Sequence, residues 1–186
     1  MKRKGTAATA RPSSEPRRQA IGFVVMFLVY LAIGNVLFFV PAVDAWAIQP
    51  WTRFNARASA AIATAFGVPS ESVGTEVGSG AVRLNVKQGC NGIHALLVLL
   101  ASILAFPAPW SRRLVGVIAG SILLLGINLF RVVNLIVIAR FHPDRLELFH
   151  VAIWQTLIVL IAFLIFLAWG MLLASRRPAA VAPDRV

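Results

Sequence analysis

The chain's only cysteine lies in the run Gln88-Gly89-Cys90-Asn91-Gly92, where an apolar stretch begins. Arg131 interrupts a later apolar stretch, and His150 opens the one after that. A helix starting beside Cys90 would offer unpaired N–H groups and partial positive charge, which lower a thiol's pKa from its free value near 8.5. A thiol acting on a carbonyl also needs a group that can return a proton to the leaving amine. Histidine, with a pKa near 6.5, suits that role. Cysteine, arginine and histidine on one side of a bilayer point to thiol chemistry on a substrate presented at the membrane surface.

Arg131 sits in Asn128-Leu129-Phe130-Arg131-Val132-Val133-Asn134. An arginine in hydrocarbon costs about 3 kcal/mol by insertion scales and marks a functional site by default. Asn128 and Asn134, three residues to either side, share its helical face, so this stripe must face protein or water. The bland alternative is an arginine snorkelling to the headgroups, with the asparagines as glue between helices. Three histidines compete as partner to the thiol. His150 opens the last apolar stretch, His94 falls one helical turn after Cys90, and His142 precedes Pro143 in a polar loop. An i,i+4 pair such as Cys90 and His94 can touch without tertiary contact, so His94 rivals His150. Zinc on Cys90, His94 and a later histidine uses the same atoms, but the spacing is not diagnostic of a metal site and no cofactor is expected. A single cysteine excludes an intramolecular disulfide, and a free thiol on an oxidising side is a candidate for reactivity.

These groups must be carried by membrane helices. Hydrophobic residues make up 59% of the chain, and the mean hydropathy is +0.79. Four apolar stretches stand out, at 21–40, 93–106, 114–138 and 151–174; all but the second reach the roughly 20 residues that cross a hydrocarbon core. The expected fold is an all-α integral membrane protein of about four transmembrane helices. Between spans one and two, a helix over Arg53–Phe66 lying along the outer surface is expected, followed by a short strand in which Val82, Leu84 and Val86 alternate with Arg83, Asn85 and Lys87. Gly67-Val68-Pro69 should stop that helix, Gly74, Gly78 and Gly80 should mark turns, and Trp46 and Trp51 look like interfacial anchors. Gly116 and Gly120 have the GxxxG spacing that admits a neighbouring helix. Ala45-Trp46-Ala47 resembles a signal-peptide cleavage site, but an apolar run of about 20 residues is longer than the usual h-region, so span one reads as a retained anchor.

The net charge of +11 is not a nucleic-acid signature, because of how it is distributed. Lys2, Arg3, Lys4, Arg11, Arg17 and Arg18 precede span one, Arg112 and Arg113 separate spans two and three, and Arg176 and Arg177 follow span four. The other two connections mix signs. The positive-inside tendency then puts both termini and the 107–113 turn in the cytoplasm, with anionic lipid as a partner of the basic segments. Span three runs outward, leaving Arg131 about 10 Å below its outer end. Residues 1–19 read as a disordered basic tail, 20–175 as one membrane-embedded domain and 176–186 as a second tail. No phosphate loop, serine elbow or paired intramembrane carboxylate is present.

On Gly89-Cys90-Asn91-Gly92, Asn128-Leu129-Phe130-Arg131-Val132-Val133 and the downstream His150, the chain resembles the exosortase/archaeosortase family of membrane cysteine transpeptidases over about residues 20–175. Its small size and Cys-Asn-Gly-Ile wording are most similar to the short exosortase H branch. The resemblance implies catalytic Cys90, Arg131 and His150 facing the periplasm at a bacterial inner membrane. The implied substrates are secreted proteins with a C-terminal sorting signal: a short motif of the IPTLxxWG type, an apolar helix and a basic tail. On that implication Cys90 forms a thioester, Arg131 stabilises the oxyanion or the thiolate, and His150 protonates the leaving amine. The acceptor is then water, an amine, or a glycan or lipid-linked precursor. The competing reading is a non-enzymatic membrane assembly or export subunit, in which Cys90 is packed and Arg131 only joins helices.

Overall fold

The computed structural model describes residues 15–80, 82–86 and 90–175. Residues 1–14 and 176–186 of the expected tails, and Gln88 and Gly89 of the cysteine motif, lie outside them. The first helix, α1 (Glu15–Phe38), begins earlier than expected and takes in residues 15–19. None of its most apolar window is buried inside the protein, so its side chains are left for lipid. Where it meets a neighbour it does so closely: a Cβ on Gly34 would overlap Leu97.

A short helix, α2 (Pro41–Val43), passes through a widened π-helical stretch, Asp44–Ile48, into α3 (Gln49–Ala65). Pro50 has no N–H, and its ring needs room at the carbonyl four residues back; the widened turn just before it provides that room. The buried stripe of α3 is Thr52, Asn55, Ala56, Ser59, Ala60 and Ala63, all small or polar, and α3 packs against α5 (Trp110–Phe141). Phe54 and Phe66 point outward, at 57% and 80% exposure. Small residues at helical spacing let the two backbones approach, which the bulky phenylalanines would prevent.

Three antiparallel strands follow in the order β1 (Glu71–Val73), β2 (Glu76–Ser79), β3 (Val82–Asn85), with Val77 paired to both Ser72 and Leu84. The strand expected near Val82 is therefore one of three. Gly74 and Gly80 make the turns with φ of +63° and +64°. Gly78 does not turn the chain; it lies within β2, where a Cβ would collide with the Val82 carbonyl.

The remaining bundle is built around α4 (Ile93–Ala105), which packs against α1, α5 and α6 (Trp154–Ser175). At 13 residues α4 is about 20 Å long, against a hydrocarbon thickness of about 30 Å. The 32-residue α5 runs to Phe141, three residues beyond the expected end of span three, so Arg131 lies about 15 Å from its C-terminus. A single turn at Pro143–Arg145 and a π-helical segment, Leu148–Ile153, lead into α6. The GxxxG pair serves two neighbours. A Cβ on Gly116 would overlap the Trp169 indole of α6, whereas one on Gly120 would lie 3.2 Å from Leu99 of α4. Trp169 Nε1 also donates to the Arg112 carbonyl at 3.3 Å.

The architecture is that of an all-α membrane protein, with, among the described residues, three helices long and apolar enough to cross a bilayer, one shorter apolar helix and a small sheet. Its interior has two parts. One core joins Leu99 and Ile103 of α4, Leu124 of α5 and Ile158 of α6 inside the bundle. The other joins Ala56 and Ala60 of α3, Val77 and Val86 of the sheet region, and Val132 and Ile136 of α5. Cys90 belongs to this second core.

Candidate active site

Cys90 stands between β3 and α4 and is not on a helix. Gly92 adopts φ +76° and caps α4, whose first residue is Ile93. A Cβ on Gly92 would lie 2.7 Å from Asn128 Cγ, so glycine is required both by the backbone and by its neighbour. That close approach lets Asn128 Nδ2 donate to the Cys90 carbonyl at 2.9 Å. From the other side, Trp51 Nε1 donates to the Asn91 carbonyl at 2.8 Å, and Asn91 Nδ2 donates to Thr52 Oγ1 at 3.3 Å. Helices α3 and α5 thus hold the cysteine loop between them.

The thiol sulfur lies 2.7 Å from His150 Nε2, across 60 residues of sequence. Arg131 Nη2 donates toward the same sulfur at 3.9 Å, to the His150 carbonyl at 3.5 Å and to Gln155 Oε1 at 3.3 Å. Cys90 and Arg131 are only 6% and 1% exposed. The three residues expected to act together are therefore in one cluster. His150 sits in the π-helical segment before α6, a wider turn than the α-helix and one that recurs at functional sites.

Two local expectations are corrected. Because Gly92 turns the chain left-handed before α4 starts, Cys90 and His94 do not share a helical face. The His94 ring instead packs edge-on against Phe38, with ring centroids 5.0 Å apart. Cys90 also precedes the helix instead of starting it, since α4 begins at Ile93. Burial pushes Cys90 above the usual thiol range, and the Arg131 guanidinium only partly pulls it back. Burial thus disfavours the charged form of a sulfur that has an imidazole nitrogen beside it.

The flanking asparagines divide their work. Asn128 holds the cysteine loop, while Asn134 Oδ1 accepts from Trp154 Nε1 at 2.9 Å and joins α5 to α6. Trp51, expected as an interfacial anchor, is half-buried and tied to the loop; Trp46, at 87% exposure, keeps the outward position. Gln155, Thr52 and Asn91 were not singled out for chemistry. The one signal in the sequence was a lone amide, Gln155, in an otherwise apolar span.

What remains open is a donor set. Arg131 Nε and Nη1 are buried and have no hydrogen-bond partner among the described residues. A cation held by three acceptors at one nitrogen, with its other N–H groups free, is equipped to receive an oxygen that gains negative charge. No three His, Cys, Asp or Glu side chains gather among the described residues. A family model described as transmembrane exosortase (EpsH) matches residues 19–175. No curated protein and no solved structure matches the chain.

Proposed function

The chain belongs to the transmembrane exosortase family, and from that membership and the cluster around Cys90 we propose that it is a membrane cysteine transpeptidase or protease acting on C-terminal sorting signals. The observation that carries this reading is the contact of Cys90 Sγ with His150 Nε2 at 2.7 Å, with Arg131 reaching the same sulfur.

In the proposed reaction, His150 Nε2 takes the thiol proton as Cys90 Sγ bonds to the scissile carbonyl carbon. The carbonyl oxygen becomes an oxyanion and meets the free N–H groups of Arg131. When the tetrahedral centre collapses, the C–N bond breaks and His150 returns the proton to the leaving amine. The product is a thioester on Cys90 and a released C-terminal helix. Water completes a hydrolysis; an amine, or a nucleophile on a glycan or lipid-linked precursor, completes a transfer. Removing one such oxyanion donor costs other acyl-transfer enzymes about 10²–10³ in rate.

The substrates on this reading are secreted proteins ending in a short motif, an apolar helix and a basic tail. The charge asymmetry supports the orientation: Arg17 and Arg18 open α1 and Arg112 and Arg113 open α5, whereas Phe38 at the far end of α1 meets His94 near Cys90. By the positive-inside tendency such a site would face the periplasm of an inner membrane. The test is co-expression of wild type or Cys90→Ala with a tail-anchored secreted protein, followed by the mass of that protein. Loss of the C-terminal helix with wild type alone is expected, and the product mass separates hydrolysis from transfer. Equal trimming by both removes Cys90 as nucleophile.

A further inference from the structure

Cys90 and Arg131 are almost fully buried, so a peptide must have a route to them. On the sheet side that route is filled. Val77 and Val86, both at most 1% exposed, pack with Ala56, Val132 and Trp154 into the core that contains the thiol. A cleft of about 80 Å³ reaches Arg131 from the side instead, between α4 and α6. Asn91, Gly92, His94 and Gln155 line its polar end with Arg131, and Val98 and Val159 line its apolar part. Gln155 and Val159 are exposed, the latter at 44%, so the cleft opens on the outer face of the bundle.

Two features make this cleft a built site. The first is Arg131, 1% exposed, lining the cleft with Nε and Nη1 unpartnered. Leaving buried N–H groups of a cation unpaired is costly, and a ligand oxygen relieves that cost. The second is Gln155, whose Oε1 accepts from Arg131 at 3.3 Å while the residue as a whole remains exposed. An exposed amide on a lipid-facing helix is unfavourable unless its N–H groups meet a polar partner. Peptide carbonyls satisfy both groups at once.

We propose that the cleft between α4 and α6 is the lateral entry for the substrate, and that it takes the extended segment preceding the substrate's apolar helix. This inference rests on the transpeptidase reading above. The segment passes sideways between the helices, its carbonyls meet Arg131 and Gln155, and its apolar helix stays in the bilayer beside α4 and α6.

The experiment measures trimming of a co-expressed tail-anchored substrate by wild type, Cys90→Ala, Val159→Phe and Leu160→Phe, each normalised to the enzyme recovered in membranes. Val159 lines the cleft, whereas Leu160 is exposed on the next position of α6 and does not. Val159→Phe is expected to slow trimming by about tenfold or more, since misplacing a substrate by an ångström already costs on this scale. Leu160→Phe should stay within about twofold of wild type, as exposed substitutions usually do. A wild-type rate in Val159→Phe, or equal slowing in both phenylalanine variants, overturns the lateral route while leaving the functional reading standing. Equal trimming by wild type and Cys90→Ala overturns the functional reading, and the entry route falls with it.

Discussion

The side-chain amide of Asn128 donates to the backbone carbonyl of Cys90 at 2.9 Å, and Arg131, one turn further along α5, points at the sulfur of the same residue. A single helix therefore places the backbone of Cys90 and the cation that faces its sulfur. Asn128→Ala leaves the buried Cys90 carbonyl without this partner, a loss of about 1–3 kcal/mol at the site. Trimming should fall by about tenfold or more with membrane insertion unchanged. Unchanged trimming in this variant would reduce Asn128 to a packing residue.

The Gly92 position is more stringent. Its φ of +76° and the Asn128 side chain against its Cα both exclude a Cβ. Gly92→Ala should abolish trimming and lower the thermal stability of the detergent-purified protein, since a left-handed non-glycine residue costs about 1–3 kcal/mol before any clash is counted. A fully active, equally stable Gly92→Ala would mean that the loop does not need this turn.

The pH dependence of thiol reactivity follows from burial. Because burial raises the Cys90 pKa, alkylation of the purified protein should rise with pH through a midpoint above the free-thiol value of about 8.5. Arg131 acts in the opposite direction, favouring the thiolate. Arg131→Gln should therefore move the midpoint further up, leaving less thiolate at any pH below it. A downward shift on removing the charge would contradict the electrostatic pairing of the two groups.

Much of this site could be read from residue types. A sole cysteine, an arginine inside an apolar span and a histidine at the start of another announce themselves because each conflicts with its surroundings. The four apolar stretches and the alternation at Val82–Val86 were legible for the same reason: periodicity follows burial. The register at Gly92 was not, because a single left-handed residue separates Cys90 from the helix, and whether a glycine uses that freedom depends on Asn128, 36 positions away. The clamp from Trp51 to Asn91 joins residues 40 apart in sequence, and an interfacial tryptophan and a hydrogen-bonding one look alike in sequence. The burial that raises the thiol's pKa likewise comes from residues distant in sequence.

The two histidines near the site are now distinguishable. His150 Nε2 touches the sulfur, whereas the His94 ring packs on Phe38. His150→Ala should lower trimming by about 10²-fold or more, the usual scale of general acid–base catalysis, and His94→Ala should keep most of it. The reverse pattern, measured as substrate mass against time, would reassign the proton donor to His94.

Arg131→Lys separates charge from geometry. Arginine here uses one nitrogen to face Cys90, His150 and Gln155 together and keeps Nε and Nη1 free. Lysine carries the same charge on one compact ammonium, so it can hold the thiolate or receive an oxyanion but has no second set of N–H groups at a fixed angle. If the arginine served only as a charge, Arg131→Lys would trim at nearly the wild-type rate and leave the alkylation midpoint in place. The geometry leads to a different expectation: a midpoint close to wild type, because the charge remains, with trimming reduced by about 10²-fold, because the oxyanion donors are lost. Measuring both quantities on one preparation separates the arginine's effect on the thiol from its effect on the transition state.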